Sequence, residues 1–310
     1  MQKNPKEKRS LLFALMGFVI FGFSFIFSKQ ALSVSSLFVM LAARFMLAFI
    51  FLNLLILIGK FKINLKKGNI GLLLLLGIVQ PIIYFICESY GIQLSATSFV
   101  GTILALIPMV SLVLGVVLLK ENVRPLQVFC TLASVFGVIL TAMGQVAGSF
   151  SWLGFALLLG AVFSASIFNI ISRKISVDFS AFERTYVMFA LGSVTFILLA
   201  LVQSGNHFQT EILNPLTNLN FIVPIIFLAG LSSVGAFLMI NYAMTYLDVA
   251  RIAIFGNITT VISILVGVII LKERFGLYQM IGSMIIIASV YIANRPTIPH
   301  KIKPIKNTIG

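Results

Sequence analysis

Runs of about 20 apolar residues alternate along the chain with short polar breaks, and that rhythm sets the first expectation. A hydrocarbon core about 30 Å thick takes about 20 residues of α-helix, whereas a barrel strand needs about ten residues of alternating polarity. The runs are continuous rather than alternating, so they read as helices. Taken between turn and charge breaks, they place ten spans at residues 11–29, 36–59, 69–91, 95–119, 125–145, 152–172, 184–204, 219–245, 249–271 and 276–294. Most linkers are very short, which makes successive helices antiparallel neighbours. The longest, around Gly205–Leu219, holds Asn206, His207, Glu211, Asn214 and Pro215, which is loop chemistry. Pro125 suits the first turn of the fifth helix, where a missing N–H costs nothing.

Composition supports the same solvent. Hydrophobic residues make up 60% of the 310 and charged residues 10%, against roughly 25% charged in a soluble domain. Too little polar side chain is left to cover a water-facing surface, so the solvent is largely lipid. The net charge of +14 does not point to nucleic acid, because Lys and Arg sit in short loops and at the chain ends, with no aromatic-interleaved basic face. With the N-terminus cytoplasmic, eighteen of the 22 basic residues fall inside, Arg173, Lys174 and Arg184 among them. Lys29, Lys272 and Arg274 lie on the opposite face and Arg44 within a span. This is the positive-inside bias of a cytoplasmic-membrane protein with both termini in the cytoplasm. The basic stretch Lys3–Arg9 before an apolar run imitates a signal peptide but lacks a small-residue cleavage site, so it reads as the start of an uncleaved first helix. Cys87 and Cys130 lie inside apolar segments with no paired framework, and read as core thiols.

The chain also repeats itself. Tyr90–Glu121 aligns without gaps on Tyr242–Glu273 at a constant offset of 152, matching Ser111 to Ser263, Gly115 to Gly267 and Leu119-Lys120-Glu121 to Leu271-Lys272-Glu273. Five spans per repeat is odd, so the second copy enters the membrane upside down. Lys120-Glu121 is then expected inside and Lys272-Glu273 outside, which explains why Lys272 and Arg274 break the charge rule. The fold expected is all-α integral membrane, ten transmembrane helices as two inverted five-helix repeats, residues 1–146 and 147–295, with a basic cytoplasmic tail at 296–310. Inverted repeats recur in secondary transporters, with the substrate path between the halves near the midplane.

Specific motifs carry a resemblance beyond the repeat. Phe21-Gly22 followed by Lys29, then Ala43-Arg44-Phe45, then Tyr90-Gly91, Leu94, Ser95, Ala96-Thr97-Ser98, Ile107-Pro108 and Lys120-Glu121 resemble the drug/metabolite transporter superfamily, EamA-type branch. Phe21 stands where the family usually has Trp. The resemblance covers nearly the whole chain and implies ten spans in two repeats and transport of a metabolite, amino acid or drug, with export as the family-level direction. It does not specify the substrate.

Polar groups inside a bilayer are costly enough to need a reason. Arg44 lies about eight residues into the second span, Glu88 near the outer end of the third, and Lys29 at the outer end of the first. At 1.5 Å per residue their depths differ by about one to two turns, so helix geometry allows a Lys29/Arg44/Glu88 cluster in the outer half of a cavity. Functionally, the cations bind a substrate anion or Glu88 couples protons; structurally, Lys29 snorkels and Arg44 pairs with Glu88. Gln80, Tyr84 and Glu88 at i, i+4 and i+8 form one stripe, beside Pro81, which frees a carbonyl in mid-span. Asn257, Thr259 and Thr260 form a polar patch in the ninth span, while Asn169 and Asn241 sit near inner helix ends, where they can snorkel. The substrate-binding or coupling candidates are Lys29, Arg44, Gln80, Tyr84, Glu88, Asn257 and Thr260.

Thr97, Gly101 and Ala105, Ser111 and Gly115, and Ser263 and Gly267 put small residues at close-packing spacing, which reads as helix contact. Pro108 is a kink point in the fourth span, and Glu121 and Glu273 read as turn caps or pairing partners. A membrane-embedded enzyme needs clustered His, Asp, Glu or Cys, yet the chain has only His207 and His300 and one intramembrane carboxylate. No Walker loop is present. No cofactor or metal is expected; the partners are a small-molecule substrate, the lipid bilayer and protons as a coupling ion. A non-transporting assembly subunit stays open as an alternative, and oligomeric state is unreadable, a homodimer included.

Overall fold

The computed structural model describes residues 5–65, 68–119, 125–143, 151–247 and 249–293. Lys66, Lys67, Lys120-Glu121, Arg124 and the basic tail fall outside them, as does the side chain of Asn257. Among the described residues the chain is helical without a strand. Its helical stretches are α1 Pro5–Leu32, α2 Leu37–Leu57, α3 Ile70–Leu94, α4 in the two pieces Thr97–Leu104 and Ile107–Leu119, α5 Pro125–Met143, α6 Trp152–Lys174, α7 Ala181–Ser204, α8 Leu219–Tyr246, α9 Val249–Leu265 continued by Val266–Ile270, and α10 Leu277–Ala293. Among the described residues seven helices are long and apolar enough to cross a membrane, and Val128–Thr141, Ile258–Ile270 and Leu277–Ser289 are shorter apolar ones.

Local chemistry sets the ends. Asn69, Ser151 and Asn218 cap α3, α6 and α8 by accepting from the amides of Leu72, Gly154 and Asn220. α7 starts at Ala181, three residues before the expected boundary, because Ser180 and Glu183 close a capping box. Glu183 also accepts from the Asn64 amide at 2.8 Å, and Phe61 stacks on Phe182 at 4.2 Å, which ties the α2–α3 connection to α7. Outward, large apolar side chains stand exposed, Leu57 and Val202 at 80% and Phe129 at 69%. Such a surface is stable only against lipid.

Two helices break where proline was expected to break them. α3 widens over Ile78–Ile83, where Gln80 is non-helical (φ −142°, ψ 117°) and the Gln80-Pro81 peptide is cis. The Val79 carbonyl at the break accepts from Ser164 Oγ of α6 at 2.7 Å. α4 interrupts at Ala105-Leu106, just before Ile107-Pro108. α8 carries a wide-turn stretch over Phe227–Ala236, the positions that lie 152 residues beyond the break in α3.

Packing follows the repeat. α2 packs on α7, α4 on α9 and α5 on α10; α1 packs on α8 and α9, and α6 on α3 and α4. Exchanging each element of the first half with its counterpart leaves this pairing unchanged. Small residues allow the closest approaches. A Cβ on Gly101 would overlap Ser263, and one on Gly267 would come 2.5 Å from Glu273 Oε2 and 3.1 Å from the Ser98 amide nitrogen. A Cβ on Gly137 of α5 would lie 2.8 Å from the Gly282 carbonyl of α10.

Gly137→Leu is therefore expected to cost about 1–3 kcal/mol or more through overpacking against rigid backbone. Gly230→Ala places its methyl 3.4 Å from Phe51, an ordinary contact, and should stay within about 0.5 kcal/mol of wild type. Thermal melting in detergent checks both, and equal melting temperatures for Gly137→Leu and wild type would show that α5 and α10 do not touch as described.

Candidate functional site

A cavity of about 110 Å³ opens between the two halves. One water needs about 10–15 Å³ of such space, so there is room for a small solute. Its wall comes from α1 (Phe18, Phe21, Ser24, Phe25), α2 (Arg44), α3 (Gln80, Tyr84, Phe85, Glu88), α4 (Leu104, Ile107, Pro108), α6 (Ala165, Phe168, Asn169), α8 (Phe237, Ile240, Met244) and α9 (Gly256, Thr259, Thr260). Much of this lining obeys the repeat. Phe85, Glu88, Leu104, Ile107 and Pro108 lie 152 positions before Phe237, Ile240, Gly256, Thr259 and Thr260. Phe21, Ser24 and Phe25 lie 144 before Ala165, Phe168 and Asn169.

Arg44 is 2% exposed. Its Nε donates to Ser233 Oγ at 2.9 Å and its Nη2 to Ser232 Oγ at 3.1 Å, so a cation of the first half is anchored on the wide-turn stretch of the second. The guanidinium also lies 4.4 Å from the Phe85 ring centroid, a cation–π contact. Tyr84 donates its hydroxyl to Glu88 Oε1 at 2.7 Å. Arg44 and Glu88 form no ion pair within 4.0 Å, although their charges act on each other. In place of the direct Arg44–Glu88 pair of the structural alternative stand two separately held charges, each supported by neutral hydroxyls.

Hydrogen-bonding capacity is left over. A guanidinium has five donors and a carboxylate about four acceptor sites. Arg44 Nη1, the Gln80 amide and Glu88 Oε2 have no protein partner among the described residues, and none of them is sealed from the cavity. Arg44, Gln80, Tyr84, Glu88 and Thr260 are thus brought together around one space. Thr260 donates to the Gly101 carbonyl at 3.1 Å and Thr259 to the Phe18 carbonyl at 2.9 Å, so these two also hold helices together.

Lys29 is not in that cluster. It extends beyond the end of the cavity and meets Glu273 Oε1 at 2.8 Å. The same carboxylate accepts from the Thr97 amide at 2.8 Å and the Ser98 amide at 2.9 Å. The acceptor that Lys29 meets lies on the α9–α10 connection and is not Glu88. Glu273 therefore both caps and pairs, as its turn position suggested.

Two readings of inner helix ends need correction. Asn241 does not snorkel: it is fully buried, accepting from Ser172 at 2.9 Å and donating to Thr185 at 3.0 Å. Arg184, counted only as a topology charge, is also fully buried. It donates to Ser180 O, Ser172 O and Oγ, Asn241 O and Thr245 Oγ1, which spends all five donors and clamps α6, α7 and α8. Ser232 and Ser233 were missed as well; the signal available was their place 152 residues after Gln80-Pro81.

Comparisons with known proteins agree on one family. The model of the EamA-like transporter family matches residues 8–143 and again 152–295. The uncharacterized transporter YcxC of Bacillus subtilis (strain 168) is 30% identical over 97% of this chain and 98% of its own length. An uncharacterized transporter of Archaeoglobus fulgidus is 22% identical over 88% of this chain and 94% of its own. A solved crystal structure at 16% identity covers 92% of this chain and 96% of its own, with a TM-score of 0.65, a likeness of fold.

Glu273 makes a pH test available. Burial works to raise its pKa, but hydrogen bonds from Lys29, Ser98 and Thr97 and the Lys29 charge outweigh burial and hold it below the ordinary 4.5. A depressed carboxylate contributes stability that is full above its unfolded pKa and is lost as pH falls through the folded one. Glu273→Gln should therefore melt below wild type at pH 7, and the gap should narrow as pH drops below about 4. A gap independent of pH would remove the ionised carboxylate from the explanation.

Proposed function

The chain belongs to the EamA-like transporter family, and on that premise we propose that it is a secondary transporter carrying a small solute across the cytoplasmic membrane by alternating access. In this reading residues 1–146 and 147–295 are two inverted halves of five spans each, ten in all, with both termini cytoplasmic and export as the direction. Shape supports it: the helix pairing is unchanged when the halves are exchanged, and most positions of the cavity wall correspond in pairs. Val128–Thr141, Ile258–Ile270 and Leu277–Ser289 are short for a full crossing; in this reading they still cross, with α9 packed on α4 and α10 on α5.

The observation that carries the proposal is the unspent hydrogen-bonding capacity of Arg44, Gln80 and Glu88 around a space between the halves. Polar groups buried in a lipid-embedded bundle are normally paired. Groups left open toward a cavity are served by water when it is empty and by solute when it is filled. Arg44 binds an anionic group, Gln80 and Tyr84 orient it, Thr260 adds a hydroxyl from the opposite half, and Glu88 carries the coupling proton. Phe21, Phe25, Phe85, Phe168 and Phe237 supply an apolar wall for the rest of the solute.

Purified protein in liposomes, screened for solute flux, tests the activity itself. Arg44→Ala and Glu88→Ala should each fold, because each charge is held by hydroxyls rather than by the other. Losing a charged hydrogen bond of about 1.5–3 kcal/mol should weaken apparent affinity roughly 10- to 100-fold. Glu88→Gln should keep downhill exchange and lose proton-driven accumulation. A folded Arg44→Ala/Glu88→Ala double variant with wild-type flux would make the two charges architecture only.

The topology has its own check. With native cysteines removed, His207→Cys, in the α7–α8 connection, should react with an impermeant maleimide from outside, and Asp178→Cys, between α6 and α7, only from the cytoplasmic side. The reverse pattern would overturn the inside-out assignment.

A further inference from the structure

Glu273 holds three partners from the other half of the chain. Lys29 ends α1, and Thr97 and Ser98 begin α4, whereas Glu273 lies on the α9–α10 connection. Among the described residues Lys29–Glu273 is the one ion pair, and it joins the halves. Phe25, four residues before Lys29, lines the cavity, so the pair sits about one helical turn, roughly 6 Å, beyond the cavity wall.

The assembly is built to be made and broken. Ala96 offers α4 no side-chain cap, so the Thr97 and Ser98 amides depend on Glu273. The hydroxyls of those two residues are buried and unpartnered, and they stand beside the same helix start with bonds to spare. Lys272 holds a left-handed backbone (φ 53°) immediately before Glu273, a conformation disfavoured for a non-glycine residue. The carboxylate rests against Gly267, where any side chain would displace it. Lys29 keeps 38% of its side chain in solvent, so water can replace it as a partner without desolvating a new charge. A purely structural staple would resemble Arg184, which is sealed, saturated and confined to one half.

We propose that Glu273, clasped by Lys29 and the Thr97 and Ser98 amides, is the gate at the α1 C-terminal end of the cavity, closed in this conformation and broken whenever that mouth opens. Glu273 and Lys29 are then positioning residues that set how long that mouth stays shut. The inference rests on the transporter reading above, in which this is the outer mouth.

The test is accessibility rather than flux. In a chain with Cys87→Ala and Cys130→Ala, Ser24→Cys places a thiol on the cavity wall, and its rate of labelling by an impermeant maleimide is read from both membrane faces. Lys29→Met and Glu273→Gln are expected to raise the rate from one face about tenfold, by shifting the population toward the opened mouth. The exchange Lys29→Glu with Glu273→Lys should not restore the slow rate, because a lysine cannot accept from the amides and puts a cation at a helix N-terminus. A rise from outside supports the gate and the topology together; a rise from the cytoplasmic face alone supports the gate and overturns the topology. Unchanged rates from both faces in folded variants would sink the gate while leaving the transporter reading untouched; a slow rate restored by the exchange would support a gate made by the ion pair alone and overturn the part given to the Thr97 and Ser98 amides. If neither Lys29→Met nor Glu273→Gln folds, the clasp is a folding staple and the gate is lost.

Discussion

Lipid offers no hydrogen bonds, and that single constraint organises the molecule. Each polar group inside the bundle must find a partner in protein or in trapped water. The two fully buried arginines show two solutions. Arg184 spends every donor on carbonyls and hydroxyls of two neighbouring helices and of its own helix start and is inert. Arg44 spends two on serines of the opposite half and keeps the rest toward a cavity. The same constraint governs the backbone: α3 and α8 abandon regular helix beside the cavity, where Ser164 can serve a freed carbonyl.

Shape and chemistry obey the repeat to different degrees. Wall positions correspond in pairs, and Phe85 and Phe237 even meet at 6.2 Å between ring centroids. The polar equipment does not correspond. Position for position, Arg44 faces Met188 at an offset of 144, and at 152 Gln80, Tyr84 and Glu88 face Ser232, Ala236 and Ile240. The charges therefore belong to the first half and the second contributes hydroxyls and apolar wall. Under the proposed alternating access, a symmetric shell with a one-sided lining would let the halves exchange conformations while a bound solute kept one orientation relative to α2 and α3.

Much of this was legible from sequence, for identifiable reasons. Helix positions and the breaks near Pro81 and Pro108 follow from local composition and steric rules that act within a few residues, and the repeat was visible as a constant offset in the sequence. The stripe Gln80, Tyr84 and Glu88 needed only helical periodicity, and it survived a local break because all three still reach one cavity. Partner choice was not legible. Lys29 could be given a depth but not a neighbour, since Glu273 lies 244 residues away. Arg184 looked like one more cytoplasmic charge because a position just outside an apolar run reads the same whether it faces water or three helices. The serines at 232 and 233 carry no signal of their own beside a run of small residues.

The two kinds of contact between the halves also differ in what it takes to undo them. α5 and α10 meet through glycine backbones, Gly137 against Gly282 with Thr141 beside them, a close van der Waals contact between small residues. The Lys29–Glu273 clasp and the Arg44 anchor are made of charged and hydroxyl groups, whose loss water compensates as it enters. If the halves move, separation costs least along the polar seam and most along α5 and α10. The cavity lies on the polar side and draws no wall from either of those helices. A rocking motion about the α5–α10 contact, opening the seam that holds Arg44 and Glu273, is the path this distribution of interactions favours.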